Sequence, residues 1–207
     1  MSGFTNRLTL SGSLGGVSLN STFSVEATGA LQGQQFDTEA AKSGNLTTRE
    51  SDTAGTLTMA DGHGIADNDV FDLYHSGGVT YGCVAGAVVG NIVPFTGGSG
   101  AVLPAFDYVN ESPITAQVCI NIDIDFDGDT LVALGILASK VGHIAFLDAA
   151  DTVLLAIPLL AGQAWFWLDD TVATNPLAGD VVASARVSNG ATTAGTFRLG
   201  GLYNSQV

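Results

Sequence analysis

Charge is scarce in this chain: Asp, Glu, Lys and Arg make up 13% of its 207 residues, about half the share usual in soluble globular proteins. A chain so thinly charged has much surface to be covered by something else. Basic residues are scarcer still, 6 Lys and Arg against 20 Asp and Glu, for a formal charge of −14. Coulomb repulsion keeps such a chain off phosphate backbones and anionic headgroups, so neither nucleic acid nor a membrane surface is an expected partner.

Cysteine is limited to Cys83 and Cys119. Each sits among apolar neighbours, where a free thiol behaves as a small buried hydrophobe, and no disulfide framework is expected. His63, His75 and His143 are the only imidazoles. None has the paired spacing of a zinc site, and no Gly-rich stretch ends in the Lys-Ser/Thr of a phosphate loop. No apolar run approaches the roughly 18 residues of a membrane span. The start, Met1-Ser2-Gly3-Phe4-Thr5-Asn6-Arg7, lacks the charged leader and apolar stretch of an export signal, so neither export nor membrane insertion is expected. Adjacent carboxylates such as Asp169-Asp170 read as a solvated turn. Nothing here resembles a nucleophile, a metal set or a cofactor fingerprint, and the expectation is a chain that is not an enzyme.

A helical stripe is also missing. What is present is alternation with a period of two, broken roughly every 8 to 12 residues by Gly, Asn-Gly or Asp-Gly, the pattern of an all-β protein. Residues 1–50 are rich in Ser, Thr, Gly and Asn, with Leu8, Leu10, Val17, Leu19, Phe23 and Val25 mostly two apart. They read as an extended N-terminal arm with one sticky face. Short runs between Gly-rich turns make residues 51–105 a small β-barrel module. Gly97-Gly98-Ser99-Gly100, followed by Pro104 and Pro113, reads as a linker. Residues 110–207 offer about seven strands, including hairpins at Asp127-Gly128 and Asn189-Gly190, and predict a β-sandwich of the jelly-roll or immunoglobulin-like kind. Trp165 and Trp167 stand two apart and so share a face, as core or as contact surface.

One motif suggests a metal. Asp123, Asp125, Asp127 and Asp129, with Gly128 between, match the first half of an EF-hand-type loop, but Leu134 occupies the place of its bidentate Glu. The same residues continue the alternation that starts at Ile120, so a solvated strand face is the expectation and calcium the alternative. No other cofactor is implied.

Asp61-Gly62-His63-Gly64-Ile65, followed by Asn68-Asp69-Val70, resembles a turn recurrent in small β-barrel modules of tailed-bacteriophage virion proteins. Asn68 stands where that pattern has Gly, a substitution that left-handed backbone geometry accepts. The resemblance covers about ten residues. It implies a non-enzymatic virion protein, a capsid decoration (cement) protein on the outer surface of the head, with the major capsid protein and copies of itself, as a trimer, for partners. Phe4, Leu8, Leu10, Val17, Leu19 and Phe23 are then the expected contact residues. The alternatives are a tail, baseplate or fibre component, and a carbohydrate-binding sandwich that displays Trp165 and Trp167 beside a calcium-held loop.

Overall fold

The computed structural model describes the backbone of residues 5–14, 17–26, 29–105, 112–122, 130–168, 177 and 182–204, and the side chains of residues 35–105, 112–122, 134–165, 177 and 182–200. Among the described residues every regular element is a strand, so the chain is all-β, a closed barrel plus a sandwich. The strands divide between two compact units. One comprises Thr38–Ile120 with Val187–Ala194, the other Met1–Asp37, Asn121–Arg186 and Gly195–Val207.

The first unit is a closed six-stranded barrel. Its strands, β4 (Lys42–Arg49), β5 (Gly55–Met59), β6 (Val70–His75), β7 (Gly78–Ala85), β8 (Ile92–Gly100) and β9 (Ser112–Val118), run in the order β4-β5-β8-β7-β6-β9 around the wall. Closure removes every unpaired edge. The period-two pattern decides what fills it. In β5, Gly55, Leu57 and Met59 are buried while Thr56 and Thr58 are half-buried, and Leu46, Phe71, Leu73, Val93, Phe95 and Ile114 complete the core. Phe71 and Phe95 meet edge to face, their ring centroids 5.9 Å apart, an arrangement that the aromatic quadrupole favours.

This barrel is wider in sequence than residues 51–105. Strand β4 comes from the segment expected to be an arm and β9 from the expected sandwich, because the two hydrogen-bond to each other and close the wall. The expected linker is not one either. Gly97 to Gly100 lie inside β8, paired with β7 through Cys83↔Gly97 and Thr80↔Gly100. A Cβ on Gly100 would lie 2.5 Å from the Tyr81 ring, and Gly97, Gly98 and Gly100 all have positive φ. Glycine serves close strand approach here and not flexibility.

The second unit carries the sandwich. One sheet runs β14 (Ala164–Leu168), β11 (Thr130–Ala138), β16 (Gly195–Asn204), β3 (Gly29–Thr38); the other runs β10 (Ile120–Ile122), β15 (Ser184–Asn189), β12 (Gly142–Leu147), β13 (Val153–Leu159). Taken in chain order, the first strand pairs with the last (β3 with β16) and the second with the seventh (β10 with β15). The third pairs with the sixth (β11 with β14) and the fourth with the fifth (β12 with β13). That is one long hairpin wrapped into two sheets, the jelly-roll order, and it excludes the immunoglobulin arrangement. The barrel is inserted between its first and second strands. So residues 29–38, expected in an arm, are instead an edge strand of this sandwich.

Only β1 (Thr5–Leu14) and β2 (Val17–Glu26) match the expected extended N-terminal segment. They pair antiparallel with each other, in register from Thr5↔Glu26 to Leu14↔Val17, as a separate two-stranded ribbon.

Candidate functional site

The motif that prompted the virion resemblance builds one end of the barrel. Gly62, Gly64 and Asn68 have φ of 71°, 75° and 67°, so Asn68 does adopt the left-handed backbone that Gly would. The His63 imidazole ties two loops together: Nδ1 accepts from the Ile65 N–H at 3.0 Å and Nε2 faces the Gly90 carbonyl at 3.0 Å. Asp69 accepts from the Ala66 N–H, Asp67 from the Val88 N–H, and Asp61 holds the Asn91 amide. The imidazole is a structural tie. It belongs to no metal set, and among the described residues no group of three or more His, Cys, Asp or Glu is placed to hold a metal.

A second constellation was not legible in the sequence. Asp72 on β6 accepts from the Ser188 hydroxyl at 2.5 Å and from the Gly82 N–H at 2.8 Å, while Ser188 in turn lies 2.5 Å from the Tyr74 phenol. With Ser188 donating to the carboxylate, the phenol donates to Ser188. Burial, then the nearby Asp72 charge, raises the Tyr74 phenol well above its usual value, against the lowering effect of the Ser188 bond. A serine beside a carboxylate suggests a nucleophile. Ser188 and Asp72 are, however, 0% and 1% exposed, and a substrate has no route to them.

What this network does is hold segment 187–194 to the barrel. The Asn189 N–H donates to Gln117 Oε1, its amide to the Glu39 and Thr193 carbonyls, and the Thr115 hydroxyl to the Gly190 carbonyl at 2.8 Å. Gly190 packs against the face of the Tyr74 ring, where a Cβ would overlap it. The hairpin expected at Asn189-Gly190 does not form: β15 and β16 lie in different sheets, and neither residue has positive φ. The barrel that this segment fastens to, more than seventy residues upstream in chain order, was not readable in the sequence either.

Beside it, an open groove of about 780 Å³ crosses β4, β5, β6 and β9, with Asn45, Thr58, Tyr74, His75 and Pro113 in its lining. His75 Nδ1 accepts from the Gly77 N–H at 3.1 Å, and Nε2 lies 3.0 Å from Thr80 Oγ1, whose proton goes to the Ala101 carbonyl. Both contacts suit the neutral ring, and burial lowers its pKa. The lining holds no carboxylate or thiol. Cys83, buried, has its thiol pushed up to about 12 by burial and then by Asp72. It and the half-buried Cys119 are free thiols.

Comparison with protein families, with curated proteins and with solved structures finds no match. The residues must therefore carry any reading of function.

Among the residues expected at an interface, Leu8 and Phe23 are register partners, and Leu10, Val17 and Leu19 follow by parity on the same face of the β1–β2 ribbon, together with Leu14 and Val25. The opposite face holds Arg7, Thr9, Ser11, Ser13, Ser18, Asn20, Thr22 and Ser24. Phe4 lies outside the described residues, as do Asp123, Asp125, Asp127 and Asp129 of the calcium candidate. Trp165 and Trp167 pair with Ile136 and Leu134, which are buried at 2% and 1% exposure. Antiparallel partners share a face, so Trp165, which is half-buried, lies on the face of the buried Ile136; the side chain of Trp167 lies outside the described residues. His143, on β12, is buried at 2% exposure.

Proposed function

We propose that this chain is a non-enzymatic structural protein of a tailed-phage virion, a decoration protein that braces the outer surface of the head by bridging capsid subunits. The observation that carries the reading is the β1–β2 ribbon. Its seven apolar residues share one face, its other face is polar throughout, and among the described residues it pairs with no other strand. An isolated two-stranded ribbon is marginal in water. It gains stability when its apolar face lies on a partner, and ordering is then coupled to binding.

The magnitudes fit an anchor. Ten-residue strands reach about 34 Å, and burying seven such residues yields roughly 10 to 20 kcal/mol before costs. Ordering and association consume much of that. What remains suits attachment that is strong only where many copies assemble on a symmetric lattice, as trimers on capsomers would. The major capsid protein and sister copies are the partners so implied. The half-buried Trp165, register partner of the buried Ile136, counts against the carbohydrate-binding alternative, which needs an exposed aromatic platform.

The test is deletion of residues 1–28, which spares β3. Binding of both proteins to undecorated expanded capsids is measured by sedimentation, and melting by circular dichroism. The deletion is expected to abolish occupancy and leave melting unchanged. Equal occupancy would overturn the reading, and counting copies per virion separates head from tail, since a decoration protein is abundant and a tail component scarce.

A further inference from the structure

Five large apolar residues are exposed among the described ones, and three of them lie on one hairpin: Val84 at 39%, Val89 at 73% and Ile92 at 42%. Their register places them together. Val84 pairs with Thr96 on β7–β8, and Thr96, Pro94 and Ile92 alternate with the buried Phe95 and Val93, so Val84, Pro94 and Ile92 share the outer face of the barrel wall. Val89 bridges to Ile92 and joins the same face. Isolated exposed hydrophobes are ordinary, but a contiguous group is not.

This apolar tip is also held rigid. Val89 and Ile92 exchange both backbone hydrogen bonds at 3.0 Å around Gly90 and Asn91, and the Met59 N–H donates to the Asn91 carbonyl at 2.8 Å. His63 reaches Gly90, Asp61 holds Asn91 and Asp67 holds the Val88 N–H. Two of these ties are exposed carboxylates, each within one residue of the apolar group, and no Lys or Arg occurs between Arg49 and Lys140. The surface is therefore an apolar centre with an acidic border, fixed before any partner arrives. A prearranged surface of this kind lowers the ordering cost of binding.

We propose that the outer face of the β7–β8 hairpin, centred on Val89 and Ile92, is a docking surface for a protein that presents an apolar patch bordered by Lys or Arg. Charge selects this occupant. A second copy would set Asp61 and Asp67 against their own equivalents, and like charges so juxtaposed oppose pairing. The surface is separate from the N-terminal ribbon and does not depend on its role.

The probe is a pair of seven-residue peptides of equal charge, Lys-Val-Lys-Val-Lys-Val-Lys and the same peptide with Ser for Val, titrated into the ¹⁵N-labelled full-length chain. The valine peptide is expected to bind about tenfold tighter and to shift amides of 84–92, Asp61 and Asp67. Val89→Ser with Ile92→Thr, at exposed positions, should keep the melting temperature and remove that preference. Equal binding of the two peptides, shifts confined elsewhere, no shifts, or unchanged preference in the double variant would each overturn the proposal. So would self-association of the wild-type chain in sedimentation that the double variant abolishes, since the occupant would then be a second copy.

Discussion

The barrel and the N-terminal ribbon are made of the same material, short strands with alternating apolar residues, yet they are paired differently. In the barrel six strands close, so Leu57, Phe71 and Phe95 are covered by the chain's own wall. In the ribbon, among the described residues, two strands pair only with each other, and Leu8, Leu10 and Phe23 share one face by register. Alternation alone thus does not say whether an apolar face is core or interface. The number of strands available to fold over it decides, and that number is a property of topology.

The comparison breaks most visibly at the barrel core. Phe95→Ala removes a fully buried ring and its edge-to-face contact with Phe71, and should destabilise the barrel by about 3 to 5 kcal/mol in urea titration. Leu10→Ser in the ribbon should leave the same titration unmoved while lowering occupancy on capsids. Equal loss of stability from both would show that the ribbon belongs to a core.

A smaller effect is expected at the fastening of segment 187–194. Ser188→Ala leaves the Tyr74 phenol and the Asp72 carboxylate without the hydroxyl between them, at a cost of about 1 to 3 kcal/mol. Melting should fall accordingly. In the intact protein, spectrophotometric titration should find one phenol still protonated well above pH 10, as the raised Tyr74 value requires.

Next in size is a pH effect at His75. Its folded pKa lies below the ordinary 6.5 because burial disfavours the imidazolium. Below about pH 6.5 the unfolded chain takes up a proton that the folded chain refuses, so stability is complete above that range and falls as pH drops through the lowered folded value. Denaturation midpoints at descending pH should show the fall, and His75→Gln should flatten it.

The smallest effect belongs to Asp148 in the β12–β13 turn, whose carboxylate accepts from the Thr152 and Ala150 N–H groups. Those bonds, that from Thr152 foremost, hold its pKa below the usual 3.8. Its contribution is present above that value and lost as pH falls through the folded one. Asp148→Ala should remove only this acid limb of the stability curve.

The fold class was legible because the side-chain period of a strand is local: Leu57-Thr58-Met59 reads as a strand whatever it pairs with. The turn at Asp61–Val70 was legible for the same reason, and Asn68 took the positive φ expected of it. Partners were not legible. Nothing local ties Lys42 to Ala116, which close the barrel, or Gly190 to Tyr74. Composition misled at Gly97–Gly100, which lie inside β8, where Gly97, Gly98 and Gly100 take positive φ and Gly100 alone approaches the Tyr81 ring. It also left the jelly roll undistinguished from an immunoglobulin sandwich, since the two differ in pairing order and not in period.

The insertion of the barrel between the first and second strands of the jelly roll sets a timetable for synthesis. Strand β3 is made before every barrel strand and its partner β16 after all of them, and the Gln35–Arg198 hydrogen bond spans 163 residues. The barrel wall can therefore close before β16 exists, whereas β3 must wait for it. Such non-local pairing is slow, and a waiting edge strand is open to capture by a neighbouring chain.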